Sequence, residues 1–409
     1  MKEPALKVTD FAYGGAAIAR DKRGRPIFVQ GAIPGETVHV EITQDKGRYV
    51  RANLLKVARP SKDRVQPRCP HYGVCSGCHY QHMTYKAQLH AKREVVRDQL
   101  RRIGKMKNVK VRPTLPNPTP WAYASEVNLS PTEDGRLGFW SSKMHQVIPI
   151  STCSLLQPRL LELFQDIDMN LDELRKLTLR VGADGAMLAA LEVEGIEPPL
   201  LEVDFPVSIA IVLPDKNAAS LIGDPYLVQE VKGRSFRVSP GCFFQPSLAG
   251  AEMLIDVLLS YARLKAEHTV IEAYSGVGML TSFLATEARE VTAIEVNDDA
   301  VADLVVNLDR LDNVTLYHGL VEEILPALEL RPDLMVVNPG TGGLASPVIG
   351  NIKDKAPRRL IYVSSEVATL ARDGKALNRA GYRLLEVQPL DMQPQTYRVD
   401  TISLWTKQQ

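Results

Sequence analysis

The 409-residue sequence has few aromatic residues (6%), only five cysteines, and no apolar run long enough to cross a membrane. A membrane-spanning protein is therefore not expected. The N-terminal stretch MKEPALKVTDFAYGG has no apolar signal core, which predicts a cytoplasmic protein without stable disulfides. The composition, 45% hydrophobic and 24% charged, is typical of a soluble globular chain with two or three domains.

The charge is divided unevenly along the chain. Residues 1–112 contain 24 Lys and Arg against 9 Asp and Glu, a net charge of +15, whereas residues 113–409 have a net charge of −14. This division favours a polyanion that is contacted mainly by the N-terminal part, and nucleic acid is the expected one. The alternative is a basic face that is only solvated.

The sequence pattern predicts three domains. Residues 1–58 contain short alternating segments separated by turns, which indicates a small OB-like β-barrel with basic residues beside its strands. Residues 59–235 contain a cysteine cluster and a basic helix, followed by an α+β domain with one further helix near residues 158–177. Residues 236–409 alternate strands and helices, as in an α/β sheet.

Four of the cysteines have the spacing of a metal site. Cys69, Cys75 and Cys78 are clustered, and 74 residues separate Cys78 from Cys153. Four thiolates suit either a tetrahedral Zn²⁺ or a [4Fe–4S] cluster, and three clustered ligands with one distant ligand favour the cluster. The fifth cysteine, Cys242, is expected to be a buried core residue.

A second group of residues predicts a nucleotide site. The stretch VIEAYSGVGML places Gly276 and Gly278 at a strand-to-helix turn, where a ligand can approach the backbone closely. Glu295 ends the next strand, and its carboxylate can accept both hydroxyls of a ribose. No third glycine follows in the G-x-G-x-x-G register, which argues against a dinucleotide and favours S-adenosylmethionine.

Together these features resemble the S-adenosylmethionine-dependent RNA (uracil-5-)-methyltransferases, which make 5-methyluridine in ribosomal and transfer RNA. The resemblance covers nearly the whole chain. It implies an RNA-binding TRAM barrel, a middle domain in which the four cysteines hold a [4Fe–4S] cluster, and a Rossmann-like methyltransferase domain. CFFQPS is similar to the family's FFQ-x-N motif and AYSGVG to its D-x-Y-C-G-x-G motif. The residues that the resemblance assigns to S-adenosylmethionine are Gln245, Tyr274, Gly276, Gly278, Glu295 and Asn338.

The chain departs from the family at the catalytic positions. In YVSSEVATLARD, Ser365 stands in the place of the nucleophilic cysteine, and in QPQTYRVD, Asp400 stands in the place of the general-base glutamate. Asn338, in NPGTGG, replaces the aspartate of the D-P-P-R motif, whose arginine is absent. Arg398 replaces the histidine of the motif F-P-x-T-x-H-x-E.

These departures matter because the family's thiolate adds to C6 of uracil and makes C5 nucleophilic. A serine hydroxyl needs a strong base for that step, and the neighbouring Glu366 is too weak. Ordinary 5-methyluridine formation is therefore not expected. Two functions fit the sequence: methylation of ribosomal or transfer RNA, with an altered target atom, and RNA binding by an inactive relative. A monomer is expected in either case. An iron–sulfur radical protein is disfavoured. Radical enzymes have a C-x3-C-x2-C spacing, whereas Cys69, Cys75 and Cys78 have the spacing C-x5-C-x2-C.

Overall fold

The N-terminal part of the chain folds into a closed five-stranded barrel. This is seen in a computed structural model, which describes residues 5–167, 173–194, 206–213 and 218–408. The strands follow the order β1-β2-β3-β5-β4. Their bounds are β1 (Leu6–Phe11), β2 (Ala17–Arg20), β3 (Pro26–Gln30), β4 (Thr37–Asp45) and β5 (Val50–Arg59). The barrel closes without an unpaired edge, as the alternating sequence predicts.

The barrel core is formed by small and β-branched side chains. Ala17 and Ala19 of β2 and Ile27 and Val29 of β3 are buried, while the residues between them are more exposed. This period of two gives each strand one inward face, which fixes its register in the barrel. The predicted small barrel is confirmed.

A mixed sheet of seven described strands forms the middle of the chain, in the order β13-β12-β11-β10-β7-β8-β9. Its strands are β7 (Glu126–Pro131), β8 (Leu137–Ser141), β9 (Gln146–Pro149), β10 (Leu174–Val181), β11 (Met187–Val193), β12 (Ser208–Val212) and β13 (Ala218–Ile222). Helix α2 (Pro158–Asp166) packs against β10. The helix predicted near 158–177 extends beyond the end of α2. Where it overlaps β10 the prediction is wrong, because β10 pairs with β7 and β11. Part of the predicted helix lies outside the described residues.

The C-terminal part contains a sheet of eight described strands, in the order β18-β17-β16-β19-β20-β22-β21-β6. Its strands are β6 (Lys110–Val111), β16 (Thr269–Ala273), β17 (Glu290–Glu295), β18 (Val314–His318), β19 (Leu334–Val337), β20 (Arg359–Ser364), β21 (Tyr382–Leu390) and β22 (Asp400–Lys407). A separate hairpin of β14 (Leu227–Val231) and β15 (Arg234–Val238) precedes it. Strands β16 to β20 are parallel, and buried apolar residues fill the interior of the sheet, as the predicted α/β domain requires.

Helices flank this sheet and alternate with its strands. They are α3 (Leu248–Ala262), α4 (Met279–Ala285), α5 (Asp298–Asn307), α6 (Val321–Ala327), α7 (Ser346–Lys355) and α8 (Val367–Arg379). The alternation is that of a doubly wound fold, which binds its ligands at the carboxyl ends of the parallel strands. Among the described residues, no helix combines the length and apolarity needed to span a bilayer.

The basic helix α1 (Tyr85–Arg102) belongs spatially to the C-terminal sheet. It packs against α8, and the short strand β6 that follows it pairs with β21 through Val111 and Val387. The segment that follows the cysteine cluster therefore completes the last sheet. The division of the chain at residues 58 and 235 stays a prediction.

Candidate functional site

The glycine turn after β16 is built on unusual backbone angles. Tyr274 has a φ of +65°, and Gly276 and Gly278 have φ values of +56° and +84°. The N–H groups of Tyr274 and Ser275 donate to the carbonyl oxygen of Ile294 in β17, at 2.9 and 3.1 Å. A left-handed tyrosine is energetically costly, so these bonds hold a conformation that the residue would not adopt alone.

Gly278 is also required by packing. A Cβ atom there would lie 3.0 Å from Cγ of Leu304, and the φ of +84° disfavours any side chain. The turn can therefore lie close against α5 and begin α4 directly at Met279. At Gly276, by contrast, a Cβ atom would meet nothing within 4 Å, so this part of the turn is open to a ligand.

Glu295 lies against this turn, as the sequence predicted. Its carboxylate accepts hydrogen bonds from the backbone N–H of Gly276 at 2.8 Å, of Val296 at 2.8 Å and of Asn297 at 2.9 Å. The carboxylate is thus fixed at the end of β17, beside the glycines. An acid in this position can accept the hydroxyls of a bound ribose.

Glu272 is a site residue that sequence reasoning missed. It is fully buried in β16, where Thr281 donates to one carboxylate oxygen at 2.7 Å and the other oxygen has no partner among the described residues. Burial raises the pKa of Glu272 to about 8, so the group is largely protonated at neutral pH. An acid inside the apolar run TVIEA was the signal that could have found it.

Asn338 is hydrogen-bonded to the last residue of β16, just before the glycine turn, whereas Gln245 lies in another part of the molecule. The N–H of Asn338, just after β19, donates to the carbonyl oxygen of Ala273 at 3.2 Å. Gln245 lines a small cavity together with Ser125 and Arg180, between the middle sheet and the segment before α3. Of the two aromatic residues just before it, Phe244 is buried and Phe243 is 71% exposed. Their roles in cofactor binding stay predictions.

Cys242 is a core residue, as expected. It is buried, and its sulfur lies 3.8 Å from the side-chain oxygen of Asn297. Burial, with Asp303 and Asp299 nearby, raises the pKa of the Cys242 thiol well above its ordinary value. A protonated buried thiol cannot take over from the missing nucleophile.

Ser365 and Asp400 are brought together by strand pairing. Strands β20 and β22 are antiparallel and Ser364 is opposite Thr401, so Ser365 and Asp400 lie at the same end of the pair. Ser365 is exposed, and its hydroxyl makes no hydrogen bond within the described part of the chain. Burial raises the pKa of Asp400 to about 7, and the negative charge of Asp391 adds to this, while Lys92 and Arg398 oppose it.

Glu366 is already engaged by two other groups. Its carboxylate accepts from the N–H of Ala368 at 3.2 Å, which caps α8, and from the hydroxyl of Tyr13 in the barrel at 2.7 Å. Ser365 thus has no base hydrogen-bonded to it. The arrangement gives a weakly basic, buried acid at position 400 and an unactivated hydroxyl at position 365.

A buried ion pair supports the Asp400 end of the site. The ammonium group of Lys92, in α1, contacts the carboxylate of Asp391, and both side chains are fully buried. Lys92 also donates to the carbonyl oxygen of Gln393 at 3.0 Å. The sequence predicted only that this helix is basic, whereas Lys92 holds α1 against the turn before β22.

The four predicted metal-ligating cysteines line one cavity of about 430 Å³. They are Cys69, Cys75, Cys78 and Cys153. Burial raises the pKa of the thiols of Cys75, Cys78 and Cys153, that of Cys78 to about 12. In the described residues, however, no three His, Cys, Asp or Glu side chains are arranged to hold a metal ion, so the predicted [4Fe–4S] centre is not established by this geometry.

Basic side chains are exposed on two adjacent barrel loops. Arg25 joins the loops, since it pairs with Asp21 at 2.7 Å and with Asp45 at 3.1 Å. The exposed basic residues on these loops are Lys22, Arg23, Lys46 and Arg48. In α1, by contrast, Arg97 pairs with its helical neighbour Glu94. The barrel loops therefore offer the freer cationic surface.

A doubly wound sheet with a glycine turn and a strand-end acid is typical of proteins that bind an adenosine-containing ligand. A TRAM domain model matches residues 3–55. An uncharacterized RNA methyltransferase of Bacillus cereus is 32% identical, covering 97% of this chain and 95% of the relative. One of Halalkalibacterium halodurans is 30% identical over 98% of this chain and 97% of the relative. The chain belongs to this RNA methyltransferase family, and the resemblance inferred from the sequence is confirmed.

The fold also matches a solved structure over nearly its whole length. This is the tRNA (uracil-54, C5)-methyltransferase of Pyrococcus abyssi in complex with S-adenosyl-L-homocysteine, with a TM-score of 0.72. The match covers 98% of this chain and 100% of that one at 22% identity. At that level of identity the likeness concerns the fold, and it confirms the predicted barrel and methyltransferase sheet.

Proposed function

We propose that this protein transfers a methyl group from S-adenosylmethionine to a base of ribosomal or transfer RNA, without a covalent enzyme–base intermediate. The observation that carries the proposal is the contact of Glu295 with the N–H of Gly276 at 2.8 Å. It joins a ribose-accepting carboxylate to an open glycine turn. Tyr274, Gly276, Gly278 and Asn338 surround the same strand ends and are the residues we assign to the cofactor.

RNA is the substrate that the charge and the barrel favour. The TRAM match, the exposed basic loops of the barrel and the names of the relatives all support it. Cationic loops on a small barrel attract a phosphate backbone regardless of sequence. We place the protein in the cytoplasm as a monomer.

The chemistry follows from what surrounds Ser365. Without a thiolate, C5 of uracil cannot be activated, whereas an exocyclic amine or a hydroxyl has its own lone pair and can attack the methyl group directly. S-adenosylmethionine supplies an electrophilic methyl group. Asp400, with a pKa raised to about 7, can accept the proton that the target atom loses. Asn338, at the end of β19, can accept a hydrogen bond from the target group.

We also propose that the cysteine cavity holds a [4Fe–4S] cluster. Four thiols around one cavity of about 430 Å³ are a suitable donor set for such a cluster, with Cys69, Cys75, Cys78 and Cys153 as its ligands. The cavity also borders the middle sheet, since Tyr123 and Val127 line it. The cluster would join the cysteine loop to that sheet, and no step of methyl transfer is assigned to it.

Calorimetric titration of S-adenosylmethionine into the anaerobically purified protein tests the proposal. We expect saturable binding at one site, weakened at least tenfold in Glu295→Ala. Glu287→Ala is a matched control, because Glu287 is an exposed acid after α4 with no ion pair among the described residues. Absence of binding to the wild-type protein would contradict a methyltransferase function.

A second function is favoured by the free hydroxyl of Ser365 and by Glu366, which is held by Tyr13. These features suit an inactive relative that only binds RNA. An inactive relative would retain its affinity for RNA and have no affinity for S-adenosylmethionine.

A further inference from the structure

The turn before β22 is held in a strained and fully bonded conformation. Gln395 is buried and has a φ of +70°, a left-handed angle that is strained for a residue other than glycine. Gln88 of α1 holds it from both sides: its amide oxygen accepts from the N–H of Gln395 at 3.0 Å, and its amide nitrogen donates to the Gln395 side chain at 2.9 Å.

Further bonds to Gln395 come from outside α1. The N–H groups of His79 and Tyr80 donate to its carbonyl oxygen, each at 2.9 Å, and its side-chain amide donates to the carbonyl oxygen of Pro120 at 3.2 Å. A single turn is thus fixed by three segments that are distant in sequence. Strain that is stabilised by so many contacts is typical of positions that must present a side chain accurately.

The side chain that this turn presents to solvent is Arg398. The residue is exposed, and in the described ranges its guanidinium has no carboxylate within ion-pair distance and makes no hydrogen bond. Its backbone N–H donates to the hydroxyl of Thr396 at 3.1 Å, which fixes the chain direction. Other arginines near the strand ends are already paired: Arg372 with Asp373, and Arg180 with Glu126.

Arg398 stands beside the reacting end of the site. It is two residues before Asp400, and the adjacent Tyr397 packs edge-on against Tyr13, the residue that binds Glu366. A base that reaches Ser365 and Asp400 brings its own phosphates close to them. The guanidinium has the planar fork that matches a phosphate, and it is free to bind one.

We propose that Arg398 binds a phosphate of the RNA strand next to the target nucleotide and so positions the base at Asp400. The assignment rests on the proposed function for its substrate class. The rigid turn around Gln395 fixes the backbone that carries Arg398 before RNA arrives, so only the side chain has to be ordered on binding.

One other role competes for Arg398. The residue also lines the cavity that contains Cys69, Cys75, Cys78 and Cys153. A cation there could balance the charge of a group bound by the thiols instead. The phosphate role is favoured because the residue is exposed to solvent, whereas the cysteines are partly buried.

The test is binding of total transfer RNA to the full-length protein as a function of salt, by fluorescence anisotropy. For Arg398→Gln we expect a several-fold loss of affinity and a decrease of about 0.7 to 0.9 in the slope of log affinity against log salt, the equivalent of one phosphate contact. Arg398→Lys should recover most of the slope, because it keeps the charge. Arg331→Gln is the matched control, because Arg331 is an exposed arginine before β19, at the amino ends of the parallel strands and therefore away from Asp400.

Two results would overturn the proposal. One is an unchanged affinity and slope in Arg398→Gln. The other is a loss of bound iron in that variant without any change in slope, which would assign Arg398 to the cysteine cavity. Calorimetry with S-adenosylmethionine on the same proteins separates the two proposals: if the wild type binds no cofactor but Arg398→Gln still lowers the slope, only the proposed function fails.

Discussion

The hydroxyl of Tyr13, in the N-terminal barrel, donates a 2.7 Å hydrogen bond to the carboxylate of Glu366, the residue next to Ser365. The two residues are 353 positions apart in sequence. Burial and the neighbouring Glu366 carboxylate both raise the pKa of Tyr13, so the hydroxyl remains a donor at any physiological pH. The bond fastens the barrel to the first turn of α8, beside the candidate site.

Removal of this hydroxyl should loosen the barrel. Tyr13→Phe keeps the ring that packs against Tyr397 but loses a hydrogen bond to a charged group, and we expect the protein to lose about 1 to 2 kcal/mol of stability. Thermal unfolding measures the effect. Tyr49→Phe is the control, since Tyr49 packs against Phe28 and its hydroxyl has no hydrogen bond among the described residues. Equal midpoints for the two variants would argue against a structural role for the Tyr13 bond.

The ion pair of Lys92 and Asp391 should be far more sensitive. Both side chains are fully buried, so Lys92→Met leaves an uncompensated carboxylate, and we expect a loss of about 3 to 5 kcal/mol in the free energy of unfolding. The double variant Lys92→Met/Asp391→Leu should recover most of it. Arg97→Gln, which breaks the exposed pair with Glu94 in the same helix, should cost less than about 1 kcal/mol. A double variant no more stable than the single one would contradict this account.

The contrast between Glu295 and Lys92 explains how far the sequence could predict the site. Glu295 was predictable because its distance from the glycine turn is set by one strand–helix–strand unit, a local feature. Lys92 was not, because a lysine in a basic helix looks solvated, and only the position of Asp391 makes it a buried partner. The Tyr13 bond and the left-handed Gln395 likewise depend on contacts between distant segments.

The error in the middle domain has a similar cause. The stretch that follows α2 contains apolar residues at a spacing that suits a helix, but Leu174–Val181 is a strand because β7 and β11 pair with it on both sides. The local sequence is compatible with either a helix or a strand, and the pairing with neighbouring strands determines that it is a strand.

Glu272 should give the protein a pH-dependent stability. Burial raises its pKa to about 8 from an ordinary value of 4.5, so the folded protein holds a proton that the unfolded chain releases. The stabilising contribution is complete below about pH 4.5, falls as the pH rises, and is lost above about pH 8. Glu272→Gln removes this dependence, so the wild type should lose stability relative to the variant between about pH 5 and 8. A constant difference in thermal midpoint across that range would contradict the raised pKa.

The cysteine cavity predicts bound iron. Anaerobically purified protein should be brown and contain about four irons per chain, and Cys78→Ala should lose both the colour and the iron. Cys242→Ala is the control, because Cys242 is the one cysteine outside the cavity. Zinc in place of iron, or an unchanged chromophore in Cys78→Ala, would exclude the proposed cluster. Iron and sulfide analysis together with the visible spectrum make this measurement without any assay of activity.

Variants of Ser365 and Asp400 should separate the roles of the hydroxyl and the acid at these strand ends. If methyl transfer needs no covalent nucleophile, Ser365→Ala should transfer the labelled methyl group of S-adenosylmethionine to RNA within about threefold of the wild-type rate. Asp400→Asn should slow transfer by about 10² to 10⁴, because it removes the proton acceptor. The acceptor is RNA from cells that lack the protein.

The result that would contradict this mechanism is loss of transfer in Ser365→Ala with cofactor and RNA binding intact. That outcome would require a base able to activate the hydroxyl of Ser365. Glu366 is already bonded to Tyr13 and Ala368, so Asp400 would be the remaining acid at this strand end. Tyr13→Phe tests that assignment, since it releases the Glu366 carboxylate: an unchanged rate in that variant would leave Asp400 as the base.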